Sequence, residues 1–333
     1  MQKLKIGFIG CGKHAKANIY PSVLLLGYDI TAVCARHLEN AQTTADRFHA
    51  KSAYDDYRAM LKTEQLDVVF VITSGDQHVD IVIECLKSGA HVFVEKPLGW
   101  TTKEAREVAK ISEQTKKHVM VGFMKRFAPS YLEMKRIISD TANFGEVLTM
   151  TGMFGVRPFG DDEIFLKYGA IHYVDLMRFL FGEIKDLHGF KRVLDKNVSQ
   201  VFSFATDDGK TGTMFFAGLP AWARHQEEIT ISGTQGFVKV DNLTKVSHHF
   251  YTEPISENPR WQTLDVEDRV FTSIDTSGSG GTERLYINGY VGEVKHFLES
   301  IESNGVPNPS AEDNCKTMEL VEKILTNLID PTK

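Results

Sequence analysis

Apolar residues follow two different rhythms along this chain. In the first part they form short continuous runs: Leu4 to Ile9, Ile30 to Cys34, Asp67 to Ile72, His91 to Val94 and Val119 to Val121. Continuous runs of this length predict strands buried on both faces, as in a parallel sheet. Between them lie stretches with helical spacing: one beginning near His14, one through Phe48, and others over Asp55 to Leu61, His78 to Ser88 and Thr102 to Lys117. Gly89 stops the fourth of these, and Thr101 with Glu104 is placed to close a capping box on the fifth. A further short strand begins at Ala53. Strands alternating with helices imply right-handed parallel crossovers, so residues 1–123 are expected to form a doubly wound α/β domain.

After Arg126 the pattern changes to longer alternating segments: Val147 to Phe154, Leu187 to Val193, Val198 to Ala205, Thr211 to Phe216, Glu228 to Ser232 and Phe237 to Val240. Turn residues such as Asp207-Asp208-Gly209 and Gly233-Thr234-Gln235-Gly236 separate them, which predicts a mainly antiparallel, open sheet. Helical spacing returns at Ala170 to Phe181, Leu285 to Ser303 and Ala311 to Leu328. Residues 124–333 are therefore expected to form a second, α+β domain for substrate binding and oligomerisation, with the C-terminal helix free to pack back on the first. Thr276 to Thr282, rich in glycine and serine, is expected to be a surface loop.

Composition narrows the function classes. A chain of 333 residues, 42% of them hydrophobic, has material for two cores. Its formal net charge of -6 argues against a nucleic-acid partner, which favours a basic footprint. Cys11, Cys34, Cys85 and Cys315 have neither CxxC spacing nor the density of a disulfide framework, and fit reduced thiols. The first strand begins almost at once, leaving no room for a signal peptide, and no apolar run approaches the roughly 20 residues that span a bilayer. A cytoplasmic protein without a membrane partner is expected. No metal is expected either: His248-His249 is the only adjacent histidine pair and has no ligand set around it.

Two short strings carry the candidate chemistry. Gly10-Cys11-Gly12-Lys13-His14-Ala15 follows the first strand and opens a helix. Glycines there permit a tight turn and a close approach of backbone N–H groups to a pyrophosphate at the helix amino terminus. Glu95-Lys96-Pro97 follows a later strand and sets a lysine at the carboxyl edge of the same sheet, where a nicotinamide would lie. Pro97 disfavours helical geometry at Lys96. At the end of the second strand, Ala35 stands where NAD-binding domains carry an acidic residue, and Arg36 follows it. A 2′-phosphate needs that carboxylate absent and a cation nearby, so NADP(H) is favoured over NAD(H).

These strings resemble those of the Gfo/Idh/MocA oxidoreductase family, whose members act mostly on sugars and polyols with NAD(H) or NADP(H). The resemblance runs through Ile6-Gly7-Phe8-Ile9-Gly10-Cys11-Gly12, Val94-Glu95-Lys96-Pro97-Leu98, Val121-Gly122-Phe123-Met124-Lys125-Arg126-Phe127 and Ile171-His172-Tyr173-Val174-Asp175. It continues in Ile231-Ser232-Gly233-Thr234-Gln235-Gly236 and Gly289-Tyr290-Val291-Gly292-Glu293. It implies a Rossmann domain and a hydride transfer between nicotinamide and a hydroxyl or carbonyl carbon. Lys96 would hydrogen-bond the substrate and stabilise charge on its oxygen. Glu95 would support it, and Thr73, Ser74 and His78 would line the cofactor. In the family an aspartate and a histidine four residues apart face the substrate. His172 matches the histidine, but Tyr168 replaces the aspartate. Tyr168 is then an acid/base group, a sugar-stacking platform or a packing residue, with His172 as the other proton carrier and Asp175 on a similar side. The replacement also admits a catalytically silent NADP-binding sensor. Arg157, Phe159, Trp222, Arg224 and His225 are candidates for cradling a small-molecule substrate or serving an interface. The family's open sheet implies a homodimer or homotetramer.

Overall fold

A computed structural model describes residues 4–222, 225–251, 266–273 and 281–332. The chain forms two compact units, Met1–Met124 with Gly289–Glu322, and Lys125–Asn288 with Lys323–Lys333. The crossing near residue 123 is therefore followed by a return at Gly289 and a second departure after Glu322. Arg224 and most of the Thr276 to Thr282 stretch lie outside the described residues.

The first unit runs β1 (Ile6–Ile9), α1 (Tyr20–Leu25), β2 (Ile30–Cys34), α2 (Leu38–Phe48), β3 (Ser52–Tyr54), α3 (Tyr57–Glu64), β4 (Val68–Val71), α4 (His78–Lys87), β5 (His91–Glu95), α5 (Thr102–Thr115) and β6 (Val119–Gly122). All six strands are parallel, in the order β3-β2-β1-β4-β5-β6. The order reverses between β1 and β4, the switch point where ligands bind in such sheets. Every residue of β1 and β4 is buried, as their unbroken apolar runs require. Phe8, Phe70 and Phe93 stand opposite one another on β1, β4 and β5, with ring centroids 4.8 and 5.2 Å apart. Tyr20 stacks on Phe8 at 4.0 Å, so this aromatic ladder ties α1 to the sheet.

The helix expected near His14 does begin there, but it widens into a π-helical turn over Ala15–Ile19 before continuing as an α-helix from Tyr20. Pro21 supplies a reason: it has no N–H to continue an α ladder backward, and the ladder widens before it.

The second unit runs α6 (Pro129–Ser139), α7 (Thr141–Phe144), β7 (Val147–Val156), α8 (Asp162–Ile164), α9 (Ile171–Phe181), β8 (Ile184–Leu194), β9 (Asn197–Thr206), β10 (Thr211–Gly218), β11 (Gln226–Gly233), β12 (Gly236–Asp241), β13 (Lys245–Tyr251), β14 (Val266–Thr272) and α10 (Glu283–Ile287). With β15 (Leu328–Ile329) from the end of the chain, the sheet order is β14-β13-β12-β11-β7-β10-β9-β8-β15, antiparallel except for the parallel pairs β7–β10 and β8–β15. Val198, Phe202 and Phe204 point into the core, where Phe181 of α9 meets Phe204 edge-on at 5.8 Å. On the other face, the cross-strand neighbours Phe190 and Val201 are 61% and 52% exposed.

The chain closes with α11 (Tyr290–Glu302), α12 (Ala311–Asn327) and β15 (Leu328–Ile329). The expected single helix from Leu285 to Ser303 is two helices, because Gly289 adopts φ 91°, a left-handed conformation that breaks the ladder. In the first unit, Phe297 of α11 covers the aromatic ladder, 5.7 Å from both Phe70 and Phe93. Pro309 and Ser310 lie along β6: Val121 N donates to Pro309 O at 3.0 Å, and Met120 bridges Ser310.

Candidate active site

At the switch point of the first unit lies a cavity of about 850 Å³. Its wall contains Gly10, Cys11, Gly12, Lys13 and His14 from the glycine turn, and Ala35 and Arg36 from the end of β2. Thr73 and Ser74 come from the segment after β4, and Glu95 and Lys96 from the end of β5. Gly10 has φ 118°, and a Cβ there would sit 2.1 Å from the Ile72 carbonyl oxygen, so no other residue fits that turn. A Cβ at Gly12 would meet nothing within 4 Å: the turn presents bare backbone to open space, a cradle suited to a pyrophosphate. The donor set fits a dinucleotide.

The structure adds residues that the sequence did not flag. Asp55, Asp56, Tyr57 and Arg58 border the same cavity beyond the end of β3, and Asp76, Gln77 and Asp80 border it after β4. The only available signal was the strand order itself, which sets β3 beside β2 and so brings its carboxyl end to the same crevice.

His78, expected at the cofactor, is instead 1% exposed and absent from the cavity wall. Its ring lies between two carbonyl oxygens, with Nδ1 2.8 Å from Pro97 O and Nε2 3.1 Å from Thr73 O. It thus joins the segments after β4 and β5, and burial holds its pKa below the ordinary value.

At the end of β5, Glu95 is 7% exposed. Its Oε1 lies 2.9 Å from His14 Nε2, and its Oε2 accepts from the Lys96 N–H at 3.2 Å. Burial by itself would raise the Glu95 pKa, but the hydrogen bond and charge of His14, with Lys96 and His78, outweigh it and hold the carboxyl below its usual range. The reverse balance holds at His14, where Glu95 overcomes desolvation and raises the pKa. Burial lowers the pKa of Lys96, opposed by the Glu95 carboxylate. The Lys96–Pro97 peptide is cis.

In the second unit, Tyr168 lies in a π-helical turn over Phe165–Ala170 that runs directly into α9, where His172 sits in the first turn. Tyr168, Gly169 and His172 are half-buried while Phe165 to Lys167, Ala170, Ile171 and Tyr173 to Arg178 are buried. That pattern puts Tyr168 and His172 on one accessible side. Asp175 does not join them, being 1% exposed and held in two hydrogen bonds from Arg126, Nε at 2.7 Å and Nη2 at 2.6 Å. The expectation that it binds substrate is corrected to a buried ion pair. Truncating one side would cost about 3–5 kcal/mol.

Beside it is a second buried cluster. Lys125 Nζ donates to Glu227 Oε2 at 2.6 Å, and the hydroxyls of Tyr131 and Tyr173 donate to the same carboxylate. Burial and that charge push both phenols well above their ordinary pKa. Phe154 stacks on Tyr173 at 4.1 Å, and His225 meets Phe154 at 6.0 Å. Arg157 is exposed just after β7 with its guanidinium 5.9 Å from the Phe159 ring, and a Cβ at Gly155 would press on the Trp222 indole. Phe159 also reaches Gly169, beside Tyr168.

Residues 4–123 match the family described as an oxidoreductase family with an NAD-binding Rossmann fold, Gfo/Idh/MocA. The inositol 2-dehydrogenase of Salmonella typhimurium is 27% identical over 186 residues, 54% of this chain and 55% of that protein, so the chain spans about half the length of such relatives. The D-apiose dehydrogenase of Paraburkholderia graminis is 22% identical over 97% of this chain and 87% of its own. Among solved structures, a dehydrogenase from Chromobacterium violaceum superposes with a TM-score of 0.87 at 20% identity, over 98% of this chain and 96% of that one. A levoglucosan dehydrogenase in complex with NADH and L-sorbose gives 0.84 at 20% identity, over 98% and 97%. These two likenesses concern the fold. The glycine turn and the lysine at the end of β5 both lie within residues 4–123, the part of the chain that matches the Gfo/Idh/MocA oxidoreductase family.

Proposed function

We propose that this chain is an NAD(P)-dependent oxidoreductase that transfers a hydride between nicotinamide and the hydroxyl or carbonyl carbon of a sugar, polyol or related small molecule. The observation that carries this reading is one cavity at the sheet's switch point lined by both the glycine turn and Lys96. Relatives named for inositol and apiose oxidation support the substrate class.

Nicotinamide, when bound, supplies or accepts the hydride. The chain's own residues do the rest. Lys96 donates a hydrogen bond to the substrate oxygen and stabilises negative charge developing there, and its lowered pKa brings its proton nearer to transfer. Glu95 and His14 hold the end of β5 in place. His172 takes or returns the hydroxyl proton, and Tyr168 binds the substrate. A second copy of the chain is the proposed partner, meeting the open face of the sheet in a homodimer or homotetramer. The reading places the protein in the cytoplasm. Among the described residues, no helix is long and apolar enough to cross a membrane.

NADP(H) is favoured over NAD(H), because Ala35 leaves the ribose edge of the cavity without the usual acid while Arg36 lines it. Asp55 and Asp56 border the cavity too, and the preference is therefore expected to be modest, about tenfold. Fluorescence titration with NADPH and NADH tests this, with Arg36→Ala expected to narrow the difference and Ala35→Asp to reverse it. In the same preparation, Lys96→Met should bind dinucleotide but lose at least about a hundredfold in turnover on a panel of sugars and polyols. Near-normal turnover in that variant would remove the role given to Lys96.

A further inference from the structure

Glu293 is a buried acid that nothing among the described residues satisfies. It is 0% exposed, and neither carboxylate oxygen has a hydrogen-bond partner among the described residues. Leaving such a group unpaired is costly even when it is neutral, so it does not serve stability. Its place is set by its neighbours on α11. Tyr290, three residues before it, lies edge-on to His14 at 5.7 Å, and Phe297, four residues after it, packs on Phe93 at 5.7 Å. Residues at these spacings share a helix face. On β5, Glu95 lies two residues beyond Phe93 and so points to the same side of the sheet. One turn of helix back from Phe297, Glu293 therefore lies beneath Glu95, and that carboxylate is the charge acting on it.

We infer that Glu293 and Glu95 hold a single negative charge between them, and that the second charge appears only when a cation occupies the dinucleotide cavity above them. Two carboxylates in one desolvated site do not both ionise readily. Burial and the Glu95 charge keep Glu293 protonated well above the ordinary carboxyl range. The groups that set this balance are His14 just before the π-helical turn, Lys96 and Glu95 at the end of β5 and His78 on α4, while Tyr290 on α11 lies against the His14 ring. His14 and Lys96 already compensate Glu95. An oxidised nicotinamide ring carries a positive charge and a reduced one does not, so only the oxidised form favours release of the Glu293 proton to solvent. Glu293 is thus a positioning residue through which the protein distinguishes the two redox forms, and this rests on the proposed dinucleotide site.

The test is the pH dependence of binding of the oxidised and reduced dinucleotides to the unmodified protein and to Glu293→Gln. The ratio of their affinities in the unmodified protein should shift toward the oxidised form by roughly threefold to tenfold per pH unit over part of the range from about pH 6 to about pH 9, and be flat in Glu293→Gln. Calorimetry in two buffers of different ionisation enthalpy should show proton release with the oxidised form only. Without ligand, the sign is also fixed. A raised folded-state pKa means that the unfolded chain loses its proton first, so stability falls as pH rises above the ordinary carboxyl value, and the gain in melting temperature of Glu293→Gln should widen with pH. Glu293→Met provides the same readings if the glutamine variant does not fold. Binding of both forms with parallel pH profiles in all proteins, or a melting difference that does not vary with pH, would overturn the inference while leaving the nucleotide site intact. Failure of either dinucleotide to bind would overturn both.

Discussion

Tyr168 and His172 are where residue chemistry decides most. They lie on one accessible side of a π-helical turn leading into α9, and only His172 can both give and take a proton near neutral pH unaided. His172→Ala should therefore lower the maximal rate by about 10²–10⁴-fold. Tyr168→Phe should mainly raise KM, by about tenfold, since it removes one hydrogen bond. Rate profiles across pH for both variants check the assignment; a larger rate loss in Tyr168→Phe would move the proton to the tyrosine. At this scale the sequence was most legible where a residue's role is local. Gly10 is dictated by its own φ, and Ala35, Arg36 and Lys96 by their places at strand ends. His78 and Asp175 were not legible, because their fate depends on carbonyls and a guanidinium brought to them by tertiary packing.

Element boundaries followed from caps and glycines. The capping box expected at Thr101 and Glu104 is present: Glu104 N donates to Thr101 Oγ1 at 3.2 Å, and Glu104 Oε2 accepts from Thr101 N at 2.8 Å. The same oxygen also accepts from Trp100 N at 2.6 Å. Thr101→Ala should cost about 1 kcal/mol, read from the urea unfolding midpoint, with dinucleotide affinity unchanged. Glu104→Ala should cost more, since it strips the acceptor from two backbone donors. Where periodicity alone was the guide, α6, which follows β6 and precedes β7 in the chain, went unseen and the break at Gly289 was bridged. An apolar face continues across a broken helix if both halves pack on cores, so its spacing does not reveal the break. The two parallel pairings in the second sheet were likewise out of reach, because alternation fixes which face is buried but not which strand is the neighbour.

For the whole molecule, the open face of the second sheet is where the proposed second copy would meet it. Phe190 and Val201 pair across β8 and β9, and Phe215 and Met153 continue the row onto β10 and β7. Phe190 and Val201 are exposed and Phe215 and Met153 half-buried, and adjacent apolar residues open to solvent on a broad sheet suit association. Light scattering coupled to size exclusion should find a dimer or tetramer, and Phe190→Asp should shift it toward monomer at micromolar concentration. A monomeric unmodified protein would remove that role from the sheet.

The return of the chain at Gly289 bears on how the protein comes into being at the ribosome. The aromatic ladder of Phe8, Phe70 and Phe93 is synthesised before Phe297, which covers it, and before Pro309 and Ser310, which occupy the edge of β6. Until that distal segment emerges, the nascent nucleotide-binding unit carries a bare aromatic face and an unpaired strand edge, both invitations to aggregation. The usual order, in which an amino-terminal domain is finished before its successor is translated, is closed to this chain. A fragment cut at the first crossing would meet the same hazard permanently, and expressing the dinucleotide-binding part alone requires grafting Gly289–Glu322 back onto it.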